Sequence, residues 1–403
     1  MPDDFINFLT ASPSSYHAAH TGAHLLHQAG FTHHTETDPW DAQPGGHYLI
    51  RGGALIAWHI PTQLPTNPAF RIIGAHTDSP GFKLKHTPDH TTYGFNQAAV
   101  EIYGGPIISS WFDRDLKLAG IITHTDGTTH LHETPPLLRI PNLAIHLDRN
   151  PTLDRNPTLD RQHHTTPIYG TTTNPTSILP TNTCTHDLIT VDTQPPGRLG
   201  TDHKLLAAGR LDNLSSVYPA ITALIDAAEA ATDILILACF DHEEIGSATT
   251  TGAAGPILQD TLERTAYALG LNLDETKRAY QRSTCVSADA AHSIHPNYPT
   301  HHDPHNYPQL GHGPVLKINA NHRYASTAET QAHWLKHCPE SQHFVSNNNT
   351  PCGTTIGPIT ATRLGIPTVD VGIPLLSMHS ARELCHLDDI TALHKALTNY
   401  LVG

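Results

Sequence analysis

The apolar run ILILACF at residues 234–240 ends abruptly in Asp241, His242, Glu243 and Glu244. An uninterrupted run of this length fits a strand in the middle of a parallel sheet, and the charges then fall just past its carboxyl end, the edge at which open α/β sheets bind ligands. Other short apolar pieces predict strands: HYLIR (47–51), ALIAWHI (54–60), RIIGAH (71–76), STCVSADAAH (283–292), PVLKINA (314–320) and TVDVGIP (368–374). Between them lie helical periodicities. Residues 13–30 carry Tyr16, Ala19, Ala23, Leu26 and Ala29 at helical spacing before Gly30. Leu214, Val217, Ile221, Leu224, Ile225 and Ala228 form one face after Asp212 or Asn213 as N-cap, with Pro219 disturbing the early turns. Helices are also expected over 256–280, 326–337 and 388–401, the last through Ile390, Leu393, Leu397 and Leu401.

From about residue 85 to residue 196 the text changes to Thr, Pro, His and alternating apolar positions, as in AAVEIYGG (98–105) and AGIITHT (119–125), which reads as a β-rich insertion. Within it DRNPTL at 148–153 is repeated at 154–159. Two copies are too few for a stacked repeat, so the duplication reads as a loop expansion. The pattern as a whole is an α/β domain split by a β insertion.

Composition narrows the function. The 403 residues carry a net charge of −14 with 23 Lys and Arg, and without a basic cluster nucleic acid is excluded as a partner. No apolar run approaches the ~20 residues that cross a bilayer, and MPDDFINFL lacks a basic n-region, so a cytoplasmic location without membrane contact is expected. The 6 cysteines form no CxxC pair, which fits a reducing compartment. Cys352 in PCG has no identifiable base and reads as structural. The 33 histidines are the unusual feature, and most read as polar surface.

Ligand-type residues recur where the apolar pieces end: His76, Asp212, the Glu243–Glu244 pair, Asp289 and His379. Each alone reads as a capped turn or a surface group; together, imidazoles and carboxylates suit a pair of divalent ions, with zinc favoured by N/O ligands and manganese or cobalt as alternatives. One carboxylate must stay unligated to take a proton from water; we assign Glu244 as ligand and Glu243 as general base.

The motifs AHTDSPGF, NLAIHLDR, RLDN, FDHEEIGS, SADAAHSIHPNY, LKINANHRYA, PCGTTIGPI and VDVGIPLLSMHSARE follow one another across nearly the whole chain. In this set and order the sequence resembles the M18 family of metallo-aminopeptidases, the aspartyl aminopeptidases. The resemblance implies a mixed-sheet catalytic domain at 1–86 and 199–403, interrupted by a β-rich dimerisation domain at 87–198. It implies that His76, Asp212 and Asp289 hold one metal and Asp212, Glu244 and His379 the other, with Glu243 catalytic and Asp78 orienting His76. Lys317 and Tyr324 are implied to receive the acidic side chain of a peptide's N-terminal residue. His146 is implied to reach the active site of a neighbouring subunit in a dodecamer built from dimers. His322 departs from the family's usual Gln, and SNNNTPCG lacks the Arg and Asp common before PCG. The expected function is release of N-terminal Asp or Glu from peptides. An amidase or deacylase on small N-acyl compounds keeps the same chemistry, and a non-catalytic metal-binding shell is the alternative of another class; retention of Glu243 argues against the shell.

Overall fold

The computed structural model describes residues 2–147, 159–173 and 177–403. Residues 148–158, which hold nearly all of the DRNPTL duplication, lie outside them. Among the described residues the largest sheet has nine strands, in the order Thr32–His33, Gly45–Arg51, Ala54–Ile60, Ile234–Phe240, Phe70–His76, Thr284–Ala288, Thr368–Gly372, Val315–Ile318 and Gln342–Val345. The central four are mutually parallel, and the flanking pairs of Ala54–Ile60 with Ile234–Phe240 and of Val315–Ile318 with Thr368–Gly372 are antiparallel. The fold is therefore α/β with a mixed sheet.

Why the ILILACF run is continuous rather than alternating is visible in its packing. Leu235, Leu237 and Cys239 enter the apolar cluster on one face, while Ile234, Ile236, Ala238 and Phe240 enter the cluster on the other. The first cluster is built with the helices Pro2–Ala11, Ser15–Gln28, Leu211–Ala227 and Leu387–Val402; the second with Ile257–Ala268, Leu273–Arg282 and Ile356–Leu364. A strand buried on both faces has no polar position to spare.

Residues 81–192 contribute a separate six-stranded antiparallel sheet, ordered Thr129–Glu133, Leu116–His124, Thr183–Asp192, Gly81–Thr92, Phe95–Tyr103 and Ile168–Gly170. Its own core includes Phe82, Trp111, Leu118, Ile122 and Leu188, joined by Ala381 from the C-terminal part of the chain.

Several local expectations shift. The helix predicted over 13–30 is trimmed to Ser15–Gln28 because Ser14 caps it, accepting from the His17 amide. The single stretch predicted at 256–280 is two helices, the second started by an Asn272–Glu275 capping box. Asp212 does not cap its helix: no side-chain cap bond is made there, and its carboxylate turns instead to His76 and His379, each 3.3 Å away. Two helices escape the pattern altogether, Pro2–Ala11 and Ile356–Leu364, the latter capped by Thr355 and stopped by Gly365 at φ +66°.

Candidate metal centre

Parallel strands deliver their carboxyl ends to one edge, and the candidate residues collect there. Phe240 and His76 are register partners, so Glu243 and Glu244 follow one strand as His76 and Asp78 follow its neighbour. Asp289 follows the next strand, Thr284–Ala288. Asp212 enters at the head of Leu211–Ala227, pinned by Ser79 Oγ donating to its carbonyl at 2.6 Å. His379, at φ +67°, is held by a hydrogen bond from the Ile107 amide to its carbonyl, 2.9 Å.

The ligand atoms of His76, Asp212 and Asp289 lie within 4.8 Å of one another, and so do those of Asp212, Glu244 and His379. The two triads share Asp212. His76 Nε2 is 3.3 Å from Asp212 Oδ1 and 3.8 Å from Asp289 Oδ2; His379 Nε2 is 3.3 Å from both Asp212 Oδ2 and Glu244 Oε2. Glu243 stands beside them, 4.0 Å from His76 Nε2, and with His76 and Glu244 makes a third such group.

The imidazole tautomers are set from outside the cluster. His76 Nδ1 donates to the Asp78 carbonyl at 3.1 Å, with the carboxylate 3.4 Å away, and His379 Nδ1 donates to the Gly105 carbonyl at 3.0 Å. Both leave Nε2 facing the carboxylates. Asp78 also accepts the backbone amides of Glu243 at 3.0 Å and Glu244 at 3.1 Å, and so fixes the turn that presents both acids.

The electrostatics call for cations. Glu244 Oε1 is buried without a hydrogen-bond partner, a condition that costs about 1–3 kcal/mol or more when charged, and Asp212 Oδ1 is buried with only the His76 imidazole 3.3 Å away. Burial pushes Glu243 up to about 7, helped by the charges of Asp289 and Asp212 and opposed by His76. Burial raises Glu244 well above its ordinary value, with Asp212 adding to it. Burial works against charge on His379, yet the hydrogen bond to Asp212 and the charge of Glu244 carry it up to about 10. Glutamates pushed up, Asp212 held against its own burial below the ordinary carboxylate range by His379 and His76, and imidazoles held protonated are what a cation site looks like when protons must do the cations' work. The donor set fits divalent ions: two imidazole nitrogens turned inward and carboxylate oxygens without other partners.

The model of the family described as Aminopeptidase I zinc metalloprotease (M18) matches residues 8–401. The chain belongs to the M18 family. It is a zinc metallo-aminopeptidase, a hydrolase, as its motifs led us to expect. A probable M18 family aminopeptidase 2 of Streptomyces avermitilis is 47% identical over 421 residues, covering 100% of this chain and 97% of the relative. A chain of the solved Ape4 and Nbr1 complex superposes with TM-score 0.92 at 32% identity, covering 100% of this M18 chain and 85% of that one. The solved S. cerevisiae mApe1 dodecamer gives TM-score 0.82 at 26% identity, with coverage of 99% and 95%.

The remaining candidates in this M18 chain sit around the centre or away from it. Lys317 is 1% exposed and donates from Nζ to Asp289 Oδ1 at 3.1 Å and to the Ala290 carbonyl at 3.0 Å, with the Tyr324 ring 5.0 Å away. Tyr324 is itself buried. His146 is not in the cluster; it stands on an exposed turn with Leu143, Ile145 and Leu147. Asp241 and His242 serve locally, His242 Nδ1 bonding Thr249 and Thr251. Sequence reasoning missed Glu383, which is 2% exposed and accepts the amides of Asp212 at 3.1 Å and His379 at 2.8 Å, tying a ligand from the middle of the chain to one near its C-terminus. The only signal for it was its place four residues after His379.

Proposed function

We propose that this enzyme releases acidic N-terminal residues from peptides through a dinuclear divalent-metal site, with Glu243 as general base. The observation that carries the reading is the pair of ligand triads sharing Asp212. The carboxylates of Asp212, Asp289, Glu243 and Glu244 together balance the charge of two divalent cations. His76, Asp212 and Asp289 would hold one ion, and Asp212, Glu244 and His379 the other, zinc suiting this donor set. Bound there, the ions supply Lewis acidity, lowering the pKa of a water and polarising the scissile carbonyl.

The chain's own groups do the rest. Glu243 takes a proton from the attacking water and returns it to the leaving amine. Asp78 keeps the Glu243 amide and the His76 ring in place while that proton moves. Preference for an acidic residue is supported by Lys317, a cation buried at the rim of the cluster in a chain of net charge −14, where the global field repels an anion. His146 donates a hydrogen bond to the developing oxyanion of a neighbouring subunit's substrate. That role is supported by its exposure among apolar Leu143, Ile145 and Leu147, and by the dodecamer named for the S. cerevisiae relative. On this reading the β-rich part, 87–198, is the dimerising body, the assembly is homo-oligomeric and the enzyme works in the cytoplasm.

Hydrolysis of Asp-, Glu- and Ala-peptides before chelation, after it, and after zinc, manganese or cobalt is restored tests the proposal. Loss and recovery with Asp and Glu preferred is expected; metal-independent cleavage, or equal cleavage of Ala-peptides, overturns it.

A further inference from the structure

The second sheet does more at the metal centre than stand beside it. Its strand Phe95–Tyr103 ends at the cluster, and the residues that follow touch both halves of the site. The Tyr103 hydroxyl donates to Asp78 Oδ2 at 2.8 Å, and the ring is 7% exposed. Gly104, at φ +67°, lies so close to the glutamate turn that a Cβ there would meet Glu244 Cβ at 3.1 Å. The Gly105 carbonyl accepts from His379 Nδ1 at 3.0 Å, and the Ile107 amide donates to the His379 carbonyl at 2.9 Å. Residues 103–107 thus contact the partner of His76, the turn of Glu243 and Glu244, and the backbone and ring of His379.

Tyr103 is anchored in turn. Lys83 Nζ lies 4.6 Å from its ring centroid and 2.7 Å from Asp187 Oδ1, and Asp187 Oδ2 also accepts the Tyr16 hydroxyl at 2.8 Å. Lys83 and Asp187 belong to Gly81–Thr92 and Thr183–Asp192 of the second sheet, Tyr16 to the helix Ser15–Gln28. The anchoring therefore runs from an N-terminal helix, through three strands of the second sheet, to a carboxylate that holds the catalytic turn.

We infer that Tyr103 is a positioning residue for catalysis: its hydroxyl completes the bonding of Asp78, so that the seating of the second sheet sets the geometry of Glu243 and His76. The Asp78 carboxylate accepts three hydrogen bonds from two elements, one from the Tyr103 phenol and two from the amides of the Glu243–Glu244 turn, and together they hold it in one orientation. Without the phenol, Oδ2 keeps only the Glu244 amide, and the carboxylate gains freedom to rotate away from the Glu243 amide. A group bonded directly to a metal ligand, as Asp78 is to His76, typically carries 10–100-fold in activity or metal affinity, and Tyr103 acts through that group. This rests on the reading of Glu243 and the metal ligands given above.

The test is the double-mutant cycle of Tyr103→Phe with Asp78→Asn, read as kcat, KM and zinc per chain. Tyr103→Phe keeps the ring packed, and is expected to lower kcat about 10-fold, the lower end of the effect of a ligand's direct partner, with KM within about twofold and zinc content unchanged. In the Asp78→Asn background the same substitution is expected to change kcat by less than about twofold, since the hydroxyl acts through that carboxylate. Unchanged kcat in the Tyr103→Phe enzyme overturns the inference, as does a full loss repeated in the Asp78→Asn background. If Asp78→Asn does not fold, Tyr103→Phe alone decides: loss confined to kcat supports the inference, loss through zinc release or unfolding overturns it. Wild-type zinc content and a Glu243→Gln enzyme measured alongside separate failure of this inference from failure of the site reading itself.

Discussion

Glu243 and Glu244 are neighbours with the same side chain and different surroundings, and those surroundings are the basis for dividing their roles. The Glu244 carboxylate is buried against His379 and Asp212, whereas Glu243 keeps 14% side-chain exposure and a longer 4.0 Å approach to His76. Glu243→Gln, which keeps shape but cannot accept a proton, is expected to lower kcat at least ~10²-fold with metal content nearly unchanged. Glu244→Gln is expected to lose metal instead; elemental analysis and steady-state rates on both variants distinguish the two, and the reverse pattern would exchange the roles. Lys317 has two tasks to separate, since it already bonds Asp289. Lys317→Met is expected to lower kcat/KM for Asp- and Glu-peptides well beyond its effect on Ala-peptides. An equal drop on all three would leave Lys317 only the task of holding Asp289.

Proton balance at the same residues gives a pH prediction. His76 is raised well above 6.5, its burial outweighed by hydrogen bonds to Asp212 and Asp78, and His379 is raised to about 10. Without cations both imidazoles therefore carry protons at neutral pH, and each must lose one to become a ligand. The sign follows: metal uptake near pH 7 releases protons, and affinity falls as pH is lowered. In the metal-free protein the group with a raised value contributes stability that is present below about 6.5 and lost as pH rises through about 10. Calorimetric titration of apo-protein with zinc in two buffers of different ionisation enthalpy measures the release directly; no difference between buffers would contradict it.

At the scale of elements, what was legible in the sequence was what the parallel sheet makes regular. Strands 70–76, 234–240 and 284–288 read as apolar runs, and because they are parallel their trailing polar residues had to meet at one edge; His76, Glu243, Glu244 and Asp289 could be found that way. Tyr103 and Glu383 could not. Each comes from another sheet and reaches the cluster by tertiary docking, which leaves no period in the text. The helix Ile356–Leu364 was hidden by β-branched residues and Pro358, and is specified by its cap and stop rather than by propensity. Asn272 caps Leu273–Arg282 and takes no part in the cluster, so Asn272→Ala is expected to cost about 1 kcal/mol in denaturant unfolding while leaving kcat/KM unchanged. A loss of activity at full folding would mean that this helix is coupled to the site.

For the whole molecule, the central question of assembly lies with His146. If it acts across subunits, His146→Ala and Glu243→Gln chains, each nearly inactive alone, regain part of the activity when reassembled together, because some sites then combine an intact Glu243 with an intact His146. Mixed oligomers that stay inactive would confine the histidine to its own subunit or remove it from catalysis. The claim beneath all of this is that Asp212 is shared by two cation sites in each chain. Metal content per chain, measured by elemental analysis on fully active zinc-loaded enzyme after removal of loosely bound ions, tests it most directly. Two zinc ions per chain are predicted, falling below one in Asp212→Asn; full activity with one ion or none would contradict the account.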